Sequence, residues 1–308
     1  MKKQLLLLAV ALFATATAVR AQAPVQINSS NFTDEKFLAV VAGSDIDKDT
    51  DGYLSDEEIA AVTKLNVSDK NIASLKGIEF FTALTDLHCE FNKLTSLDVS
   101  KNTALQFLDC SVNQLTSLDV SKNTALISLG CDKNQLTSLD VSKNTALRFL
   151  YCYNNQLTSL DVSKNTALLY LDCHDNKLTS LDVSKNTALI YLYCFNNQIK
   201  EDQMQTLVNS LPTVTNRKFY VIDTKNSNEQ NVCTEPQVKI ATDKGWKVYD
   251  WNGGSSQEYT GSEVTAIRSI EVSPETKSHW YTLDGKRLSG KPTQKGIYVR
   301  NDRKVVVK

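Results

Sequence analysis

The chain has 308 residues, 41% of them hydrophobic, which is ample to bury a sizeable core. A formal net charge of −1 removes any general electrostatic reason to expect nucleic acid as a partner.

In chain order, MKKQLLLLAVALFATATAVRAQA opens with two lysines and an apolar run, and small residues at Val19 and Ala21 suit cleavage before Gln22. Residues 1–21 are therefore expected to be a signal peptide, and the mature protein to be secreted or held at the outer cell surface. No later segment approaches the roughly 20 apolar residues that a membrane helix needs. Residues 22–64 read as a helical cap. Phe37, Val40 and Val41 fall at helical spacing, and Ile59 and Val62 follow a capping box at Ser55 and Glu58. Between the two helices lies DKDTDGYLSDEE, which matches the EF-hand loop: carboxylates at Asp47, Asp49 and Asp51, Gly52 for the tight turn, the Tyr53 carbonyl, Ser55 directly or through water, and Glu58 with both oxygens. A structural calcium ion is the cofactor this pattern implies.

Residues 65–200 carry the repeats. LTSLDVSKNTAL, first at Leu94, returns letter for letter from Leu115, Leu136, Leu157 and Leu178, so the period is 21 residues. Each unit reads L-x-x-L-x-C-x-x-N-x-L, as in LQFLDCSVNQL from Leu105. A short strand puts Leu108 and Cys110 on one side by its period of two, facing a core that only stacked coils can close. The asparagines Asn92, Asn113, Asn134, Asn155, Asn176 and Asn197 form a column suited to satisfying backbone groups in the turn after each strand. The aspartates Asp98, Asp119, Asp140, Asp161 and Asp182 read as turn-makers. Six cysteines also lie 21 apart. In-register neighbours about 4.8 Å apart with parallel side chains do not suit a disulfide, so free thiols acting as small hydrophobes are expected. Cys233 lies outside the column, and a thiol reagent is expected to reach at most this one.

Between copies the changing letters are QF.D.SV, IS.G.DK, RF.Y.YN, LY.D.HD and IY.Y.FN, the dots marking core leucine and cysteine. These are expected to point onto the concave face. Candidate ligand-binding residues are Phe107, Phe149, Tyr151, Tyr153, Tyr170, Asp172, His174, Tyr191, Tyr193 and Phe195, a set rich in rigid aromatic contact area. Acids interleave them at Asp86, Glu90, Asp109, Asp132 and Asp175.

Residues 201–251 read as two helix-strand units that extend the parallel sheet and cap the core, and 252–265 as a polar linker. In 266–308, WYTLDGKRLSG and KGIYVRNDRKVVVK suggest hairpins turning at Asp284-Gly285 and near Asn301-Asp302.

The repeat resembles the leucine-rich repeat, with cysteine where the motif usually has a third leucine. That resemblance implies an α/β solenoid: a horseshoe with a parallel sheet on its concave face, here with an EF-hand-like helical cap and a small β-sandwich-like C-terminal module. The tail resembles the C-terminal sorting modules of proteins exported by a type IX route. Bacterial proteins of internalin-like architecture imply adhesion or recognition, with a protein or carbohydrate partner at a host or microbial surface. The alternative is a passive surface-coat or spacer protein. An enzyme is not expected: His88 and His174 lie four coils apart, about 19 Å by strand spacing, and no G-x-S-x-G, H-E-x-x-H or phosphate-binding glycine loop occurs.

Overall fold

A coil that offers one apolar stripe per turn cannot bury it alone, and this chain buries it by stacking coils in register. The computed structural model describes residues 23–263, 280–300 and 303–307; the expected signal peptide lies outside the described residues. The chain enters through β1 (Val25–Gln26), helix α1 (Glu35–Val41), β2 (Tyr53–Leu54) and helix α2 (Asp56–Ala61). β1 pairs antiparallel with β2. Asp34 caps α1 by accepting from the N–H groups of Lys36 and Phe37, and its other oxygen accepts from Ala73 N–H at 2.7 Å. One carboxylate thus starts the helix and ties it to the first coil. Phe32 is fully buried at the same junction, and only glycine fits beside it: Gly77 has φ +106, and a Cβ there would lie 2.2 Å from the Phe32 ring.

Three-residue strands follow, one per coil: β3 (Lys64–Asn66), β4 (Asp86–His88), β5 (Phe107–Asp109), β6 (Ser128–Gly130), β7 (Phe149–Tyr151), β8 (Tyr170–Asp172) and β9 (Tyr191–Tyr193). All are parallel, and Leu65, Leu87, Leu108, Leu129, Leu150, Leu171 and Leu192 align across them. These leucines are buried, as are the column from Leu94 to Leu178 and the valines from Val99 to Val183.

Two columns of asparagine replace the backbone pairing that the sharp turns forfeit. Asn113 donates to the carbonyls of Cys89, Cys110 and Ser111 at 3.0 to 3.1 Å and accepts from Leu94 N–H at 2.9 Å, so it stitches one coil to the coil before it. The second column, Asn102, Asn123, Asn144, Asn165 and Asn186, is fully buried. Asn123 donates to Val99 and Asn102 carbonyls at 3.0 and 2.9 Å. The Oδ1 atoms of this column are buried and accept no hydrogen bond, a cost set against those two donor bonds in every coil. The aspartates act as expected: each of Asp98, Asp119, Asp140, Asp161 and Asp182 accepts from the N–H of the serine two residues on, at 2.8 to 2.9 Å. That bond holds Asp98, Asp119, Asp140 and Asp161 below the usual carboxylate pKa.

Seating the first asparagine column requires the preceding residue to adopt positive φ: Phe91, Val112, Lys133, Asn154, Asp175 and Asn196 lie between +50 and +55°. Asparagine and aspartate tolerate this region. A β-branched valine does so at a cost of about 1 to 2 kcal/mol. Val112→Asn is therefore expected to raise unfolding free energy by about 1 kcal/mol in urea titration; no gain would show that the turn does not discriminate.

All seven cysteines are free and buried. Burial pushes their thiols up, Cys233 to about 12. Cys233 narrows the sequence expectation, because it too is fully buried and its carbonyl accepts from Tyr259 Oη at 3.0 Å. A thiol reagent should accordingly label none of the seven before denaturation and all of them after it. Labelling of any cysteine in the folded chain would contradict this packing.

Beyond the repeats, helix α3 (Glu201–Ser210), β10 (Arg217–Ile222), helix α4 (Glu235–Asp243) and β11 (Trp246–Asp250) cap the core, with β10 parallel to both β9 and β11. Lys244 Nζ donates to the Val208 and Leu211 carbonyls at 3.1 and 2.8 Å, satisfying the free C-terminal end of α3. The segment from Asn252 to Glu263, expected as linker, is instead docked: β12 (Gln257–Glu258) pairs antiparallel with β11, and Ser262 bridges to Thr234. The cause is Asp250, 1% exposed, whose carboxylate accepts from Thr224, Asn252 and Gln257 and so folds the following chain back. This closes an edge that would otherwise be open to pairing. Residues 264 and 265 lie outside the described residues.

The tail forms β13 (Trp280–Tyr281), β14 (Arg287–Leu288), β15 (Gly296–Arg300) and β16 (Arg303–Val307), antiparallel in the order β14-β13-β15-β16. Where a sandwich was expected, the described residues make a single sheet. The first hairpin turns at Gly285, φ +85; the expected Asn301-Asp302 turn and residues 266–279 lie outside the described residues. Among the described residues no helix is long and apolar enough to cross a membrane.

Candidate functional site

Two places gather chemistry-bearing side chains: the acidic loop between α1 and α2, and the concave face of the sheet. In the loop, one ligand oxygen each from Asp47, Asp49 and Glu58 lies within 4.8 Å of the others. Glu58 is held by Lys48 N–H at 2.7 Å and by the N–H and hydroxyl of Ser55 at 2.9 and 2.8 Å, while Ser55 Oγ accepts from Glu58 N–H at 3.2 Å. The capping box that begins α2 thus also aims the last carboxylate of the loop, and these bonds, the Ser55 N–H first, lower the Glu58 pKa. Asp47 is 2% exposed, and its Oδ1 has no hydrogen-bond partner. Gly52 supplies the tight turn with φ +83. Asp51 stands outside the three-carboxylate cluster; its Oδ1 accepts from Tyr53 N–H at 2.8 Å. Tyr53 lies on β2, its side chain exposed.

On the sheet, period-two alternation places Phe107, Phe149, Tyr170 and Tyr191 in one column and Tyr151, Asp172 and Tyr193 in the next. The rings touch. Tyr170 packs against Tyr151, Tyr191 and Tyr193 with centroids 4.9, 5.5 and 5.3 Å apart. A further column stacks Tyr153 on His174 (4.5 Å), His174 on Phe195 (4.4 Å) and Phe195 on Trp251 (5.4 Å). His174 is fixed at both nitrogens, Nδ1 2.5 Å from Asp172 and Nε2 3.4 Å from Asp175.

Two of the expected contact residues are not free surface. Phe195 is 2% exposed because it is sandwiched between His174 and Trp251, and Asp172 is buried under the His174 ring. Phe149, Tyr151, Tyr153, Tyr170, His174, Tyr191 and Tyr193 are partly exposed, and Phe107 is exposed. The ladder also runs further than the repeats. Tyr193 stacks on Tyr220 (4.2 Å), which stacks on Tyr249 (5.0 Å), and Lys218 Nζ lies over the Tyr191 and Tyr249 rings. The alternation in KFYVID and WKVYDW carried that signal. Phe91, 57% exposed at the other end of the sheet, carried none beyond its place in the turn.

The face is divided by chemistry. Toward the N-terminal cap stand Asp86, His88, Glu90, Asp109 and Asp132; toward the C-terminal cap stand the rings. Burial raises the Asp132 carboxyl to about 6, with a smaller push from Asp109. Burial and nearby carboxylates raise Tyr151, Tyr153 and Tyr170, and burial raises Tyr193 to about 12, so these phenols stay neutral hydrogen-bonding groups at ordinary pH.

The family model for leucine-rich repeats, in two copies, matches residues 145–186. Internalin J of Listeria monocytogenes serotype 4b (strain F2365) is 44% identical over 72 residues, a stretch that covers 23% of this chain and 8% of that protein. The solved internalin C2 of Listeria monocytogenes str. 4b F2365 aligns over 68% of this chain and 96% of its own, with a TM-score of 0.56 and 21% identity. A solved functional domain of InlJ from Listeria monocytogenes, described as including a cysteine ladder, aligns over 69% of this chain and 61% of its own at 27% identity and a TM-score of 0.31. The repeat match and the internalin C2 likeness, with the ten-stranded sheet, show that the chain carries leucine-rich repeats and shares their solenoid fold.

Proposed function

We propose that the protein is an exported or cell-surface recognition protein that captures a protein or glycan on its concave face. One observation carries this reading. The verbatim letters are not all structural: Thr95, Ser96, Lys101 and Thr103, with every copy of each in the later coils, are exposed. Neutral drift would change such positions as readily as any other exposed site. Change is instead concentrated on the strands and the residues immediately beside them, where rings accumulate. A passive coat, the alternative, gives no reason for that partition. Internalin-like relatives support a surface role, and repeat fold alone does not name the ligand. The tail, resembling a sorting module, would act in export or anchoring.

The acidic loop fits calcium, which would steady the N-terminal cap rather than take part in capture. Its donors are all oxygens, as a hard cation requires, and Asp47, one of the three clustered carboxylates, has a buried Oδ1 without a hydrogen-bond partner. Asp47, Asp49, Asp51, the Tyr53 carbonyl, Ser55 and Glu58 would hold it. Bound calcium would neutralise carboxylates that otherwise repel one another at the start of the solenoid.

A protein and glycan array probed with the mature chain tests the reading. Specific capture that survives mutation of Lys122 and Lys143, outside the strands, is expected. An array without any saturable signal would favour the passive coat.

A further inference from the structure

The N-terminal half of the concave face holds a constellation unrelated to the aromatic ladder. His88 ends β4, and Asp109 is its register partner at the end of β5. Glu90 follows His88 by two residues, so strand periodicity returns it to the same side. One ligand atom from each of the three lies within 4.8 Å of the others, and His88 Nδ1 is 3.8 Å from Glu90 Oε2. Ligands of a tetrahedral ion with bonds near 2.0 to 2.2 Å sit roughly 3.3 to 3.5 Å apart, so small side-chain rotations suffice.

Three further features set the group apart from a chance gathering of surface charge. Glu90 Oε2 is fully shielded from solvent and receives no hydrogen bond. Among the described residues no lysine or arginine forms an ion pair with Glu90 or Asp109; Lys64 is engaged by Asp86 at 3.2 Å. Asp109 is aimed from behind, since its Oδ1 accepts from Ser111 N–H and Oγ at 3.0 and 2.6 Å. The next coil leaves room for it: the neighbouring residue is Gly130, where a Cβ would lie 3.0 Å from Asp109 Oδ1. The equivalent positions further along are Tyr151, Asp172 and Tyr193, so this space exists in one coil of the column.

We propose that His88, Glu90 and Asp109 form a binding site for a first-row divalent metal ion of the zinc class, separate from the calcium-type loop. One imidazole nitrogen and two carboxylates suit such an ion better than calcium, which takes oxygen ligands. Three protein ligands leave a coordination position toward the concave side. Phe107, 39% exposed, lies two residues before Asp109 on β5, with Asp86 as its register partner.

Cobalt(II) is the probe, titrated into the untagged full chain with saturating calcium and followed by visible absorption, with zinc as competitor. The expected result is one equivalent bound and displaced by zinc, with affinity at least about tenfold lower in both His88→Ala and Glu90→Gln. The His88 side chain is 46% exposed, so its variant should fold; His174→Ala should bind as the parent does. Absence of binding at millimolar cobalt, equal affinity in His88→Ala, loss in His174→Ala, or a spectrum with thiolate bands would each overturn the site.

Discussion

Asn155→Ala is expected to destabilise the chain by about 3 kcal/mol or more, the largest effect of any single polar substitution in the repeats. The Asn155 side chain donates to the carbonyls of Cys131, Cys152 and Tyr153 at 3.1 to 3.2 Å and accepts from Leu136 N–H at 2.9 Å, and the residue is 8% exposed. Alanine would strand a buried donor and leave acceptors short, each at about 1 to 3 kcal/mol. Its chain neighbour provides the control. Asn154 is exposed and serves by tolerating φ of +51°, so Asn154→Ala should cost only about 1 kcal/mol. Urea titration of both variants checks the contrast. Similar losses would mean that turn conformation, not the asparagine's bonds between coils, holds the coils together.

The second large effect concerns calcium. With free calcium at 100 times its dissociation constant, the cap should gain about 2.7 kcal/mol over the chelated protein. The gain should vanish in Glu58→Gln, which removes one charge while leaving the helix start able to form, because glutamine also completes a capping box. Melting with calcium and with chelator, in parent and variant, reads this directly. Equal melting temperatures of the parent in the two conditions would remove calcium from the account.

Most of the fold was legible because the repeat is verbatim. A period of 21 fixes register, and a period of two then decides which side chains face the core. The asparagine column at Asn113 could be read from its place after the strand. The Asn102 column could not, since its role depends on carbonyls of the preceding coil at Ile78 and Phe81, which no local pattern reveals. Single residues were the hardest. Cys233 has no periodic partner to declare its burial, and the polar composition of 252–263 hid the fact that Asp250 draws the segment back onto the sheet. The concave face was legible as a list of letters but not as a packed object. Phe195 is lost to it because Trp251, contributed by the C-terminal cap, covers the ring, and Tyr220 and Tyr249 extend it by the same continuation of the sheet.

The central claim is that variable letters on the strands recognise a partner while the buried fixed letters hold the coil. The most direct measurement exchanges letters within one column. Phe149, Tyr170 and Tyr191 each become serine, the residue that the same column already carries at Ser128, and Tyr151 becomes aspartate, as at Asp109. Each lost ring contact should cost about 0.5 to 1.5 kcal/mol, so the chain should melt somewhat earlier but cooperatively. Affinity for whichever ligand the array identifies should fall by about 100-fold or more, as removal of a central aromatic cluster does at other interfaces. A folded variant that keeps its full affinity would contradict the account.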